Sequence, residues 1–224
     1  MKQYFGSKEL TKIDYCASCS NQVKDRCPKA GCRGSAISSF LDLHFEEKVK
    51  DLFKDPEFLN LLKKGKEQFT STASNVSHDI YHRLDYKNFQ GFSSKPCNIS
   101  FTVNTDGVNK FSSSTAGHLW PVYLMIELPK EYRFRKKYII PAYTYCDKYN
   151  PNMLTFLNPL VEKLNTLNGR EGENVTVRCM LFLASADLPA RAALMNMKQF
   201  NGKCSCHLSK SEGTAHGQHN LHRC

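Results

Sequence analysis

At 224 residues, with 41% hydrophobic and 23% charged side chains, the chain has the size and composition of one globular domain with a small appendage. It contains no window of 18 apolar residues and its start, MKQYFGSK, has no apolar core, so neither a membrane span nor a secretory signal is expected. The net charge of +10 is spread along the chain, with 13 basic and 9 acidic residues in 1–66 and 18 and 12 in 67–224. That balance suits a polyanionic partner but is also common in soluble proteins.

Ten cysteines without a signal segment point to a reducing compartment, where they act as metal ligands or buried thiols more often than as disulfides. The three N-x-[ST] triplets, at Asn75, Asn98 and Asn174, are then chance matches. Residues 1–37 hold the first cysteine group. Cys16, Cys19, Cys27 and Cys32 follow a C-x2-C-x7-C-x4-C pattern, tighter than a common zinc ribbon. Two close pairs suit one tetrahedral Zn2+, and so small a knuckle needs its ion to fold. Free thiols are the alternative. Four sulfurs leave no open position, so the zinc is expected to be structural.

Residues 38–97 read as a helical connector. Val49, Leu52 and Phe53 recur at helical spacing, and KDPE (54–57) places Asp55 as an N-cap with Pro56 at the first helical position. A further helical piece is predicted around DIYHRL (79–84).

From residue 98 the period changes to two. Ile99, Phe101 and Val103 alternate with polar residues, giving a half-buried strand that breaks at NTDG (104–107). LWPVYLMI (119–126) and YIIPAYTY (138–145) read as second and third strands, antiparallel in sequence. A helix is predicted over 153–167, then a strand over 174–185 whose apolar second half suggests burial on both faces. A helix opens at DLPA (187–190), with Asp187 as N-cap. The helical crossover lets the fourth strand lie parallel to the first. Asp106 and Asp187, each just past a strand end, would then face one another. Two such carboxylates can share Mg2+ or Mn2+. The structural alternatives are a turn former before Gly107 and a simple helix cap. RFRKK (133–137) is either a phosphate-contact segment, through Arg133, Arg135, Lys136 and Lys137, or a solvated loop.

The blocks NTDGV (104–108), LWPVYLMIELP (119–129), RFRKK (133–137), FLNPLVEKL (156–164) and DLPARAALMNMKQFNG (187–202) resemble the transposase domain of CACTA (En/Spm)-type DNA transposons, above all its animal transposase-derived relatives. The resemblance spans roughly residues 98–207. It implies an α/β, RNase H-like core over 98–203: a mixed sheet of three antiparallel strands, a helix, a parallel strand and a helix. It also implies an ancestral DDE-type activity, metal-dependent cleavage and joining of DNA strands, with Asp106 and Asp187 as the first and second catalytic acids and divalent ligands. DNA is the implied partner and the nucleus the implied location; no small-molecule substrate is implied.

Three departures qualify this. The third acid is expected from a helix beyond residue 224, so the fold is expected to be incomplete at the C-terminus and inactive; Glu212 in KSEGT (210–214) has no helical pattern to orient it. Relatives carry a C-x2-C pair after Asn-Gly, whereas here Cys206 matches the first cysteine and Ser209 stands at the second. Relatives also carry an extra Asn before Glu-Leu-Pro, which MIELP (125–129) lacks. The tail, 204–224, has Cys204, Cys206, His207, His216, His219, His222 and Cys224, and is read either as a metal site or as a disordered polar segment. The functional expectation is a transposase-derived nucleic-acid-binding protein, catalytically incomplete. The alternatives are a domesticated zinc-containing DNA- or protein-binding module and a non-functional gene fragment.

Overall fold

The computed structural model describes residues 10–32, 37–71, 86, 88–93, 95, 97–109, 118–147, 150–168, 171–172, 175–199, 202–203, 205–206, 212, 214–216 and 219–221. Two short strands, β1 (Thr11–Cys16) and β2 (Gln22–Val23), form a hairpin, and β3 (Ile37–Asp42) follows. Helices α1 (Phe45–Leu52) and α2 (Pro56–Ser71) come next. β4 (Ile99–Thr105), β5 (Val108–Asn109), β6 (His118–Ile126) and β7 (Ile139–Asp147) lead to the crossover helix α3 (Asn158–Asn168). A small hairpin, β8 (Glu171–Gly172) and β9 (Val175–Thr176), precedes β10 (Cys179–Ser185) and helix α4 (Leu188–Leu194). A last hairpin pairs β11 (Thr214–His216) with β12 (His219–Leu221).

One sheet runs β10-β4-β6-β7-β3-β1-β2, with β5 also paired to β6. β6 is antiparallel to both of its neighbours, β4 and β7, and β10 lies parallel to β4. The chain is therefore mixed α/β, as the alternation after residue 98 predicts.

Three expectations are corrected. Residues 37–42 form a strand, not the start of a helix: β3 pairs antiparallel with β7, Phe40 opposite Tyr145, so the N-terminal segment extends the same sheet. β10 is not buried on both faces; as the terminal strand it leaves Leu183 40% exposed. The helix predicted over 153–167 is broken into a turn at Met153–Phe156 and α3, where Pro159 occupies the first turn and lacks the N–H that would continue the earlier ladder. The piece at 79–84 lies outside the described residues.

The core gathers on one face of the sheet. Phe40 sits at its centre, with ring centroids of Tyr15, Tyr143 and Tyr145 at 5.7, 5.7 and 5.5 Å. Phe45, Val49 and Leu52 of α1 and Leu160, Leu164 and Leu167 of α3 close over it. Each large side chain removed from water here contributes roughly 1.5–3 kcal/mol. Asp55 caps α2 as predicted, accepting from the Glu57 amide at 2.9 Å.

Candidate metal centre and acidic strand ends

Cys16 ends β1, and Cys19 lies in the turn to β2. The turn closes through Ser20 N–H to the Cys16 carbonyl at 2.9 Å, with Ser20 in the left-handed region. Cys27 and Cys32 follow in a loop whose tight return uses Gly31 at φ 75°. The Cys16 and Cys32 sulfurs are 3.7 Å apart, those of Cys19 and Cys27 3.3 Å, and all four lie within 4.8 Å of one another. A tetrahedron with metal–sulfur bonds of about 2.3 Å has edges of about 3.8 Å. The four cysteines thus fit a structural metal centre.

Backbone N–H groups of Ser18 and then Cys19 aim at the Cys16 sulfur and, against its burial, lower its pKa to about 6. At Cys27 the Lys29 N–H pulls the same way, but the neighbouring Cys19 sulfur and burial prevail and push the thiol up to about 12. Four sulfurs this close cannot all ionise without a cation between them. The cluster is fastened to the core: Asn152 donates to the Ala17 carbonyl at 2.7 Å and Asn158 to the Ser20 carbonyl at 3.2 Å.

The two predicted aspartates emerge where parallel pairing predicts. Asn104 stands beside Ser185 in the β4–β10 ladder and its side-chain amide donates to the Ser185 carbonyl at 3.1 Å. Asp106 and Asp187 each lie two residues further on, both exposed, at the carboxyl ends of adjacent strands about 4.8 Å apart. Asp106 does not reverse the chain. β5 resumes pairing with β6 in the register of β4, Thr105 opposite Val122 and Val108 opposite Leu119, so Asp106 falls opposite Pro121, which has no N–H to give. Gly107 is required by close approach: a Cβ there would lie 2.5 Å from the Trp120 indole. Asp187 also caps α4, accepting from the Ala190 amide at 2.7 Å. Among the described residues, the acidic pair is not completed to a three-ligand group; the groups that form are the four cysteines and Asp42, His44 and Glu46.

That second group was not anticipated, although DLHFE (42–46) spells it out. Lys163 from α3 fills its centre, its ammonium bonding Asp42 and both Glu46 oxygens, the latter at 2.8 and 2.9 Å. It is an ion-pair cluster that fixes α3 to β3.

The basic segment divides. Arg133 is buried, pairs with buried Glu127 at 3.1 Å and donates to the Leu128 carbonyl at 2.9 Å, so it is not available to a phosphate. Arg135, Lys136 and Lys137 are exposed, but Lys137 is held by Asp55 and Glu57. The segment lies just before β7, towards the end of the sheet opposite the aspartates. Asp106 falls level with Thr144, two strands over, so the two sites are offset by roughly 17 Å along the five residues from Ile139 at ~3.3 Å per residue.

In the tail, Cys206 is buried, Glu212 pairs with Lys203 at 3.0 Å, and positions 216 and 219 are register partners in the β11–β12 ladder. Cys204, His207, Ser209, His222 and Cys224 lie outside the described residues, as do Asn75 and Asn174. Asn98 is buried with its amide bonded at both ends, which leaves it no part as a glycan acceptor. Among the described residues no helix is long and apolar enough to cross a membrane.

No curated protein matches the chain. Residues 3–224 match the family described as "Protein of unknown function (DUF1258)", and the chain belongs to that family.

Proposed function

We propose that the chain is a transposase-derived, RNase H-like nucleic-acid-binding protein, in which four cysteines hold zinc and Asp106 and Asp187 hold Mg2+ or Mn2+ against a phosphodiester. One observation carries this reading: the two acids leave the carboxyl ends of neighbouring parallel strands, with Asn104 and Ser185 in register behind them. The strand order β7-β6-β4-β10 supports it, being the order the resemblance implies. Divalent ions, when bound, supply charge to a phosphodiester oxygen and lower the pKa of water. The chain's own part is to fix two carboxylates, Asp106 at an interrupted ladder and Asp187 at a helix cap. With two acids in place, the reading is of metal and DNA binding related to strand-cleaving enzymes rather than turnover. DNA is the partner and the nucleus its compartment.

The test is Mn2+ binding by electron paramagnetic resonance, with DNA binding followed as a function of salt. Asp106→Asn and Asp187→Asn are each expected to weaken Mn2+ at least tenfold without unfolding the chain, and DNA affinity to fall steeply with salt. Equal Mn2+ binding by wild type and both variants sinks the carboxylate site. DNA binding without Mn2+ binding would favour the zinc-containing DNA-binding module, for which the capping bond of Asp187 already provides a purely structural role.

A further inference from the structure

At the opposite end of the sheet, α1, the cap residue Asp55 before α2 and the start of β7 with the two lysines before it line an open cavity of about 410 Å3. Leu52, Ile139 and Ile140 supply its apolar lining and Lys48, Lys136 and Lys137 its cationic lining, with the Lys137 ammonium bonded to Asp55 and Glu57. Two acids line it as well, but both are engaged. Asp51 bonds Lys54 at 2.8 Å, and Asp55 takes Lys137 and the Glu57 amide. Lys48 is different. It is half-buried, has no ion-pair or hydrogen-bond partner among the described residues, and burial alone lowers its ammonium pKa. A desolvated cation without a partner is costly, and an anion entering the cavity would offset that cost.

We infer that this cavity binds the phosphate group of a phosphate ester, with Lys48 as the principal contact. The chemistry of the lining selects phosphate over carboxylate. Among the described residues the cations lining it are ammonium groups, which act as point charges, and a phosphate ester of about −1.5 to −2 charge gains more from them than a singly charged carboxylate. The volume exceeds what a bare phosphate fills, and the apolar floor accepts the organic part of an ester. Its source is either a free phosphate ester or the backbone of a nucleic acid. The inference is independent of the carboxylate site, which lies five residues further along from Ile139 and two strands away.

The full chain, labelled with 13C at Ile and Leu methyl groups, is titrated with inorganic phosphate and with ribose 5-phosphate, using chloride at equal ionic strength as the control. Saturable shifts of the Ile139, Ile140 and Leu52 methyls are expected, with ribose 5-phosphate binding more tightly than phosphate. Lys48→Met keeps the stem and removes the charge; it is expected to weaken binding about tenfold, while Lys48→Arg retains most of it. Shifts that do not saturate, that chloride reproduces, or that persist unchanged in Lys48→Met overturn the inference. A short DNA duplex that displaces ribose 5-phosphate from the same methyls assigns the phosphate to a nucleic acid backbone. A duplex that leaves them unmoved assigns it to a free ester.

Discussion

A Cβ placed on Gly107 would lie 2.5 Å from the Cε2 and Cζ2 atoms of Trp120, whose Nε1 donates to Asn150 at 3.3 Å. The glycine beside Asp106 is therefore there for space, since the indole packs over the interruption between β4 and β5. Gly107→Ala must displace either the ring or the strand, and overpacking of this kind costs roughly 1–3 kcal/mol. Trp120 is the chain's one tryptophan, so its fluorescence reports the shift directly. A lower Tm with a changed emission maximum is expected; an unchanged spectrum and Tm would show that the contact yields freely.

Asp187 has two separable tasks. Its cap to Ala190 needs an acceptor oxygen, which Asn also supplies, whereas cation binding needs the charge. Asp187→Asn is expected to keep wild-type stability, and Asp187→Ala to lose about 1 kcal/mol. Denaturant midpoints measure both. Equal losses in the two variants would mean that the charge itself stabilises α4.

Arg133 and Glu127 form a buried pair, with Thr102 also donating to Glu127. Removing one member of such a pair strands the other, at a cost of about 3–5 kcal/mol. Arg133→Met is expected to unfold at markedly lower urea than wild type, and adding Glu127→Gln to recover much of the loss. Exposed Arg135→Ala, by contrast, should change stability by less than about 1 kcal/mol. If Arg133→Met behaves like Arg135→Ala, the burial of the pair is wrong.

Lys66 lies over the Tyr86 and Phe92 rings at 5.9 and 5.7 Å, and burial lowers its pKa from 10.5 to about 8. The unfolded chain then binds more protons than the folded one between about pH 8 and 10.5, so this group's contribution to stability rises across that window. Tm measured at pH 7 and 9.5 should show the rise in wild type relative to Lys66→Met. Parallel pH profiles for the two would remove Lys66 as the cause.

Chelation tests the cysteine cluster. One metal ion per chain is expected by elemental analysis, and Cys19→Ser should lose it. A loss of roughly 3 kcal/mol would lower Tm by about 6–12 °C in a chain of this size. Retained stoichiometry in Cys19→Ser would exclude a four-sulfur centre.

The legible parts of the sequence were those where local pattern and tertiary role agree. The alternation of Ile99, Phe101 and Val103, the cap at Asp187 and the paired cysteine spacings each declare an element by themselves. β3 was hidden because its buried positions are Ser38, Phe40 and Asp42, so burial alternates while polarity does not. Asp42 is tolerated there because Lys163 reaches it from α3, 121 residues away, and no local window contains both. Arg133 misled for the same reason: a cation in a basic run looks solvated until Glu127 and Leu128 enclose it. The helix after DLPA stops at Leu194 because Asn196 adopts φ 51° and the Met197 amide returns to the Ala192 carbonyl at 2.8 Å, a helix-ending turn without the usual glycine.

Cys16 is both the last residue of β1 and a member of the four-sulfur cluster, which sets an order on assembly. The four cysteines close over 17 residues of chain, while β3 meets β7 only across a loop of about a hundred. Short loops close first, so the cysteine hairpin can form before the strand pairing it will extend, and the N-terminal strands join the sheet last. Refolding followed by pulsed hydrogen exchange should protect the β1–β2 amides early when metal is present, ahead of those of β3.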